Sequence, residues 1–147
     1  MKKSIVAFIA GFLIGAPALA QMNGPAETIF ARYQTLERSF DPAVADLYCD
    51  TALIRNIRTY PNGQQRTLDL PATNYKAAIR AAMPLAKARG DYSTYSGVTF
   101  DPDGANVRIR ATRYSMIKKY SSPISLLVGP CNGGAWAILE ELSESQP

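Results

Sequence analysis

The chain has 147 residues, 47% hydrophobic and 19% charged, with 16 basic and 12 acidic side chains and a formal charge of +4, the size and makeup of one globular domain. It contains no His and only two Cys, which excludes imidazole general bases, His-ligated metal centres and four-thiolate zinc or iron–sulfur sites. No cofactor or metal is implied.

Met1-Lys2-Lys3 precedes an apolar stretch from Ile5 to Ile14 and the small residues Ala18 and Ala20. This is the pattern of a secretory signal peptide, with cleavage expected between Ala20 and Gln21. The mature chain would be Gln21 to Pro147, 127 residues, and the product periplasmic or secreted, with no membrane insertion after cleavage. Loss of Lys2 and Lys3 takes the basic count from 16 to 14 against 12 acids, a net charge of about +2. The sequence pI near 9.2 comes without a Lys/Arg run, so nucleic acid is not expected as a partner. In an oxidising compartment an even cysteine count reads as one disulfide, Cys49–Cys131, against the alternative of two free thiols.

Pro25 suits the first position of a helix running to about Ser39, in which Ile29, Phe30, Tyr33, Leu36 and Phe40 form one apolar stripe. Asp41-Pro42 is a cap followed by a first-turn proline and starts a short second helix with Val44, Leu47 and Tyr48 on one side. Leu53–Tyr60 and Arg66–Leu70, joined across Pro61-Asn62-Gly63, read as a hairpin. A third helix from about Thr73 presents Tyr75, Ile79, Ala82, Met83 and Ala86 and stops at Gly90, with a kink or break expected at Pro84. Four strands follow: Tyr95–Phe100, Asn106–Lys119, Ile124–Val128 and Ala135–Leu142, joined by marked turns.

This element order, together with Asp46-Leu47-Tyr48-Cys49-Asp50-Thr51-Ala52-Leu53-Ile54, Asp101-Pro102-Asp103-Gly104-Ala105-Asn106-Val107 and Ala135-Trp136-Ala137-Ile138, resembles the nuclear transport factor 2-like superfamily, which includes the SnoaL-like polyketide cyclases. The resemblance spans Pro25 to Leu142. It implies an α+β domain, residues 21–147, in which three helices pack on a strongly curved, mostly antiparallel six-stranded sheet to form a cone whose mouth is often a small-molecule pocket. It also implies that the first and last strands are parallel neighbours, bringing Cys49 near Cys131. The superfamily hosts isomerases, dehydratases, cyclases, transport factors and interaction domains, so the resemblance does not give function. Its enzymes commonly place His and Asp, or Tyr and Asp, in the cone; with no His, only the second set is open to this chain.

Alternation on Val107–Tyr114 sends Val107, Ile109 and Ala111 toward the helices. Arg108, Arg110 and Tyr114, continuing as Met116 and Tyr120, fall on the other side as a face suited either to an interface or to solvent. Arg113 follows Ala111 on the inner side, where a charge must be paired or meet a ligand, unless the strand bends and lets it reach water. With Tyr33 and Arg55 near it in the cone layout that the resemblance implies, it is a candidate ligand-binding residue for a carboxylate or other anion, and Trp136 is a further ligand-binding candidate. Glu140 and Glu141 cannot form a close pair, since neighbouring strand residues point to opposite faces, and neither shows an obvious partner. Tyr92, Tyr95, Tyr114 and Tyr120 read as packing residues. A large side chain such as Phe30, Tyr33 or Met83 can plug the cone.

No catalytic residue is assigned. The function expected is an exported, non-catalytic domain that binds a small apolar or anionic ligand or a protein partner, and that forms a homodimer through its sheet. The alternative is a small isomerase or lyase using an inward carboxylate and Tyr33 or Tyr48. An inhibitor or accessory subunit of another exported protein is a third reading.

Overall fold

The computed structural model describes residues 17–147. Helix α1 spans Pro17–Arg38 and α2 spans Ala72–Arg89; strands β1 to β6 span Tyr48–Thr59, Gln65–Pro71, Ser93–Asp103, Asn106–Ser115, Ser121–Pro130 and Trp136–Ser145. A 3-10 turn, Pro42–Leu47, leads into β1. The expected signal segment lies outside the described residues up to residue 16, and residues 17–20 are helical. Among the described residues no helix is long and apolar enough to cross a membrane.

The six strands form one sheet in the order β2-β1-β6-β5-β4-β3. Every neighbouring pair is antiparallel except β1 and β6, which run parallel as the resemblance implies. The α+β architecture is therefore as expected. Cys49 and Cys131 form the disulfide, with their Cα atoms 5.7 Å apart.

α1 begins earlier than expected, and Pro25 lies inside it rather than at its first position. Proline removes one backbone donor and crowds the carbonyl one turn back, here that of Gln21. Asp41 caps the 3-10 turn as expected, its Oδ1 accepting from the Ala43 N–H at 2.8 Å. α2 is continuous through Pro84, where a kink or break was expected. The carbonyl that Pro84 cannot satisfy belongs to Arg80, on the solvent side, where water can replace the bond. Gly90 ends α2 in the left-handed conformation (φ 65°) that a residue with a Cβ adopts at a cost.

The inner face of the sheet carries Ile54, Val107, Ile109, Ala111, Ile124, Leu126, Val128 and Ile138, all buried. α1 packs on β3 to β6, α2 on β1 and β2, and both on the 3-10 turn. The helices thus lie over different parts of the sheet, with the β1–β6 seam between them. Beneath α1 the interior is aromatic: Phe30 meets Tyr95 and Phe100 edge-on at 5.6 and 6.2 Å, and Tyr33 meets Tyr95 at 5.9 Å. Phe30 and Tyr33 are both buried there.

Candidate functional site

A register shift on β6 decides which acid enters the core. Ile138 pairs with Val128 of β5, but the next pair in register is Glu140 with Leu127, so Leu139 is the extra residue. A bulge of this kind reverses the face on which the following residues stand. Ile138 points inward, and beyond the bulge Glu141 does so as well, while Glu140 turns outward to pair with Arg108.

Glu141 is 2% exposed and lies between Leu126 and Ile54 in the sheet. Tyr48, at the start of β1, donates its phenol proton to Oε2 of Glu141. Tyr75, in the first turn of α2, donates to Oε1 at 3.0 Å. The two rings meet edge-on, with centroids 5.4 Å apart. Burial, followed by the neighbouring Glu141 charge, pushes both phenols well above their ordinary value; burial and then Tyr95 do the same to Tyr33. All three are proton donors at neutral pH.

A second polar group lies nearer the C-terminus of α1. Tyr95 donates to Oε2 of Glu37 at 2.5 Å. Burial raises the Glu37 carboxyl above its ordinary value, against the lowering influence of the Tyr95 bond and the Arg113 charge. Arg113 reaches across β5 and donates from Nη2 to the Glu144 carbonyl at 2.9 Å. Burial opposes its charge, and the Tyr33 and Tyr95 phenols with Glu141 outweigh that, so its guanidinium stays charged. The half-buried inward apolar side chains of α2, Ile79 and Met83, complete the surroundings.

The structure brings Tyr33 and Arg113 to this interior but not Arg55. Arg55 stands on the helix-free face and forms a two-point ion pair with Asp69 at 2.6 and 3.0 Å, because β1 alternates from Ala52 and Ile54, which are buried. Trp136 lines a separate surface cleft of about 290 Å³ with Asp46, Asp50 and Lys76, beside the disulfide. Of the expected interface set, Arg108, Arg110 and Tyr114 are on the outward side of β4, with Arg108 bound to Glu140 and Asp103 and Arg110 to Asp101. Met116 and Tyr120 are not strand residues. β4 ends at Ser115, and a turn closed by Ser115 N–H to the Tyr120 carbonyl, with Lys119 at φ 58°, takes the chain away.

Sequence reading missed Glu141 and Tyr75 as partners of Tyr48. Strict alternation from Ile138 places Glu140 inward and Glu141 outward, and nothing local in Ala137-Ile138-Leu139-Glu140 marks the bulge.

On the helix-free face, two grooves of about 440 and 450 Å³ share Arg55 and Leu142. Leu53 is 69% and Leu142 40% exposed there.

Among the described residues no group of acidic or cysteine side chains is arranged to hold a metal ion. The interior offers two carboxylates, Glu141 and Glu37, each accepting from phenol donors, with a cation at its edge and an apolar surround, a set that can orient a polar ligand group or move a proton.

No family model matches the chain, and no curated protein matches its sequence. Solved structures do match. An NTF2-like protein with a cystatin-like fold from Novosphingobium aromaticivorans superposes with a TM-score of 0.58 at 14% identity, covering 86% of this chain and 82% of its own. An NTF2-like protein from Shewanella oneidensis gives 0.61 at 12% identity, covering 84% and 98%. A Catenulispora acidiphila protein in complex with S-DNPA gives 0.53 at 12% identity, covering 85% and 93%.

Proposed function

The chain has a nuclear transport factor 2-like, cystatin-like fold, and on that premise we propose that it is an exported, non-catalytic domain that binds a small ligand between α1 and α2. The observation that carries this reading is the Tyr48–Glu141–Tyr75 cluster. A buried carboxylate costs folding energy that an aliphatic residue at the same place would not, and such costs concentrate at functional sites. A disulfide suits export. The neighbour carrying S-DNPA is a precedent for ligand binding on this fold, at an identity that transfers nothing more.

Native mass spectrometry of the protein purified from its own compartment tests the reading. The expected result is a mass beginning at Gln21 with a small-molecule adduct that Glu141→Leu abolishes while the chain stays folded. A clean apo mass overturns the ligand and moves the function to protein interaction.

Homodimerisation through the helix-free face belongs to the same proposal, supported by exposed Leu53 and Leu142 beside the two grooves. Light scattering through a dilution series tests it, and a monomer at every concentration refutes it.

The isomerase or lyase reading is favoured by one observation, the hydrogen bond of an inward carboxylate to Tyr48. Its carboxylate would be Glu141. Deuterium uptake from D2O into a bound carbonyl ligand, lost in Glu141→Gln, is the expected outcome; equal uptake in both proteins refutes it.

A further inference from the structure

Toward the C-terminal ends of β1 and β6, the inner face carries a row of a different kind. Tyr95 of β3 pairs with Arg113 of β4, Arg113 with Ser122 of β5, Ser145 of β6 with Arg58 of β1, and Arg58 with Arg66 of β2. The Ile124–Ser143 pair carries the β5–β6 register on, so that Ser122 faces Ser145. One row thus crosses all six strands and contains three arginines and no carboxylate.

Two observations mark this row as incomplete. Nε of Arg58 is buried and has no hydrogen-bond partner, although an orphaned buried donor is costly and uncommon. Arg58 also stands directly opposite Arg66, and like charges in that position repel. Among the described residues neither Arg58 nor Arg113 takes part in an ion pair. Arg113 extends across β5 toward the place of Arg58 in the row. Arg113 Nη2 is held at the Glu144 carbonyl, and Arg58 is the neighbour in register of the next residue, Ser145. Beside them Asn56 donates to Ser143 Oγ at 3.0 Å and accepts from Ser145 Oγ at 2.7 Å, which fixes both hydroxyls on this face.

We propose that Arg58 and Arg113 form an anion clamp that takes the carboxylate of an organic acid, whose apolar body runs along the inner face toward Glu141. Guanidinium forks bind a carboxylate through paired charge-assisted hydrogen bonds. Ser145 lies four residue steps along β6 from Glu141, about 13 Å at roughly 3.3 Å per residue, and the surroundings include Ala111 and Ile124 of the sheet and the rings of Tyr33 and Tyr75. The clamp thus calls for an elongated acid, not a bare anion. This inference rests on the interior ligand site proposed above and names its chemical class.

Calorimetric titration of the folded, mature protein with decanoate, decanol and inorganic phosphate tests the clamp. Decanoate is expected to bind, with decanol and phosphate each weaker by about tenfold or more. Arg58→Gln and Arg113→Gln should each weaken decanoate by a similar factor, and Arg55→Gln, on the other face, should leave it unchanged. Circular dichroism confirms that the variants are folded; if Arg113→Gln is not, Arg58→Gln decides. Decanol binding as tightly as decanoate, or decanoate binding unaltered by Arg58→Gln, overturns the clamp and leaves the interior site standing. Phosphate binding as tightly as decanoate overturns the organic acid. Failure of all three probes to bind overturns the clamp, while the presence or absence of an adduct in native mass spectrometry decides the interior site separately.

Discussion

The cluster around Glu141 makes a quantitative prediction about what its two phenols do. Among the described residues, Tyr48 and Tyr75 supply the side-chain hydrogen bonds to its carboxylate. Removing one hydroxyl by Tyr75→Phe leaves the ring packing in place and deletes a charge-assisted bond of about 1.5–3 kcal/mol. Tyr48→Phe should cost the same or more, since Tyr48 is 3% exposed and water cannot readily take the hydroxyl's place. In the double variant the carboxylate is buried with neither donor, and the total should reach about 3–5 kcal/mol. Adding Glu141→Leu removes the charge itself. Because Leu126 and Ile54 already flank the position, the triple variant should recover to within about 1–2 kcal/mol of the parent. Urea unfolding at neutral pH, read as midpoint shifts at constant slope, measures all four proteins. If the triple variant is as unstable as the double, the cost lies in ring packing, not in an unsatisfied carboxylate, and the argument for a functional cluster fails.

Three further outcomes are expected. Replacing Cys49 and Cys131 together by Ala opens a cross-link between residues 82 apart and should destabilise the fold by about 4.5 kcal/mol in the chain-entropy model, measured by thermal unfolding against the oxidised parent. The raised Glu37 carboxyl means that the folded state holds this proton more tightly than the unfolded chain. Its contribution is intact below the ordinary carboxylate value and is lost as pH rises through the folded one, so the stability of Glu37→Gln relative to the parent should increase with pH across that window and level off above it. At Gly129 an added Cβ would lie 1.9 Å from Asn106 Oδ1 and 3.1 Å from a Leu139 methyl. Gly129→Ala should therefore cost about 1–3 kcal/mol, and Asn106→Ala in the same chain should restore most of it by unfolding assay.

What the sequence determined by itself follows from short-range physics. The Ile29-Phe30-Tyr33 stripe buries because helical spacing puts those residues on one face. Gly90 ends α2 because its φ is positive, and Val107, Ile109 and Ala111 face inward by strand alternation. With two cysteines in the chain, pairing left one disulfide to form, and the parallel β1–β6 pair followed from the family resemblance. What only the tertiary structure decided depends on how strands pair over long sequence separations. The extra residue at Leu139 exists because β5 and β6 must match both the Val128–Ile138 pair and the Leu127–Glu140 pair, and that constraint is absent from either strand alone. It turns Glu141 into the core beneath Tyr48 and Tyr75, which are 93 and 66 residues away in sequence. The same dependence on pairing puts Arg55 outside with Asp69 and sets Arg58, not Arg55, in one row with Arg113. Local periodicity says which residues share a face of one strand; only the pairing across the sheet says which side that face is on after a bulge, and which distant side chains it meets there.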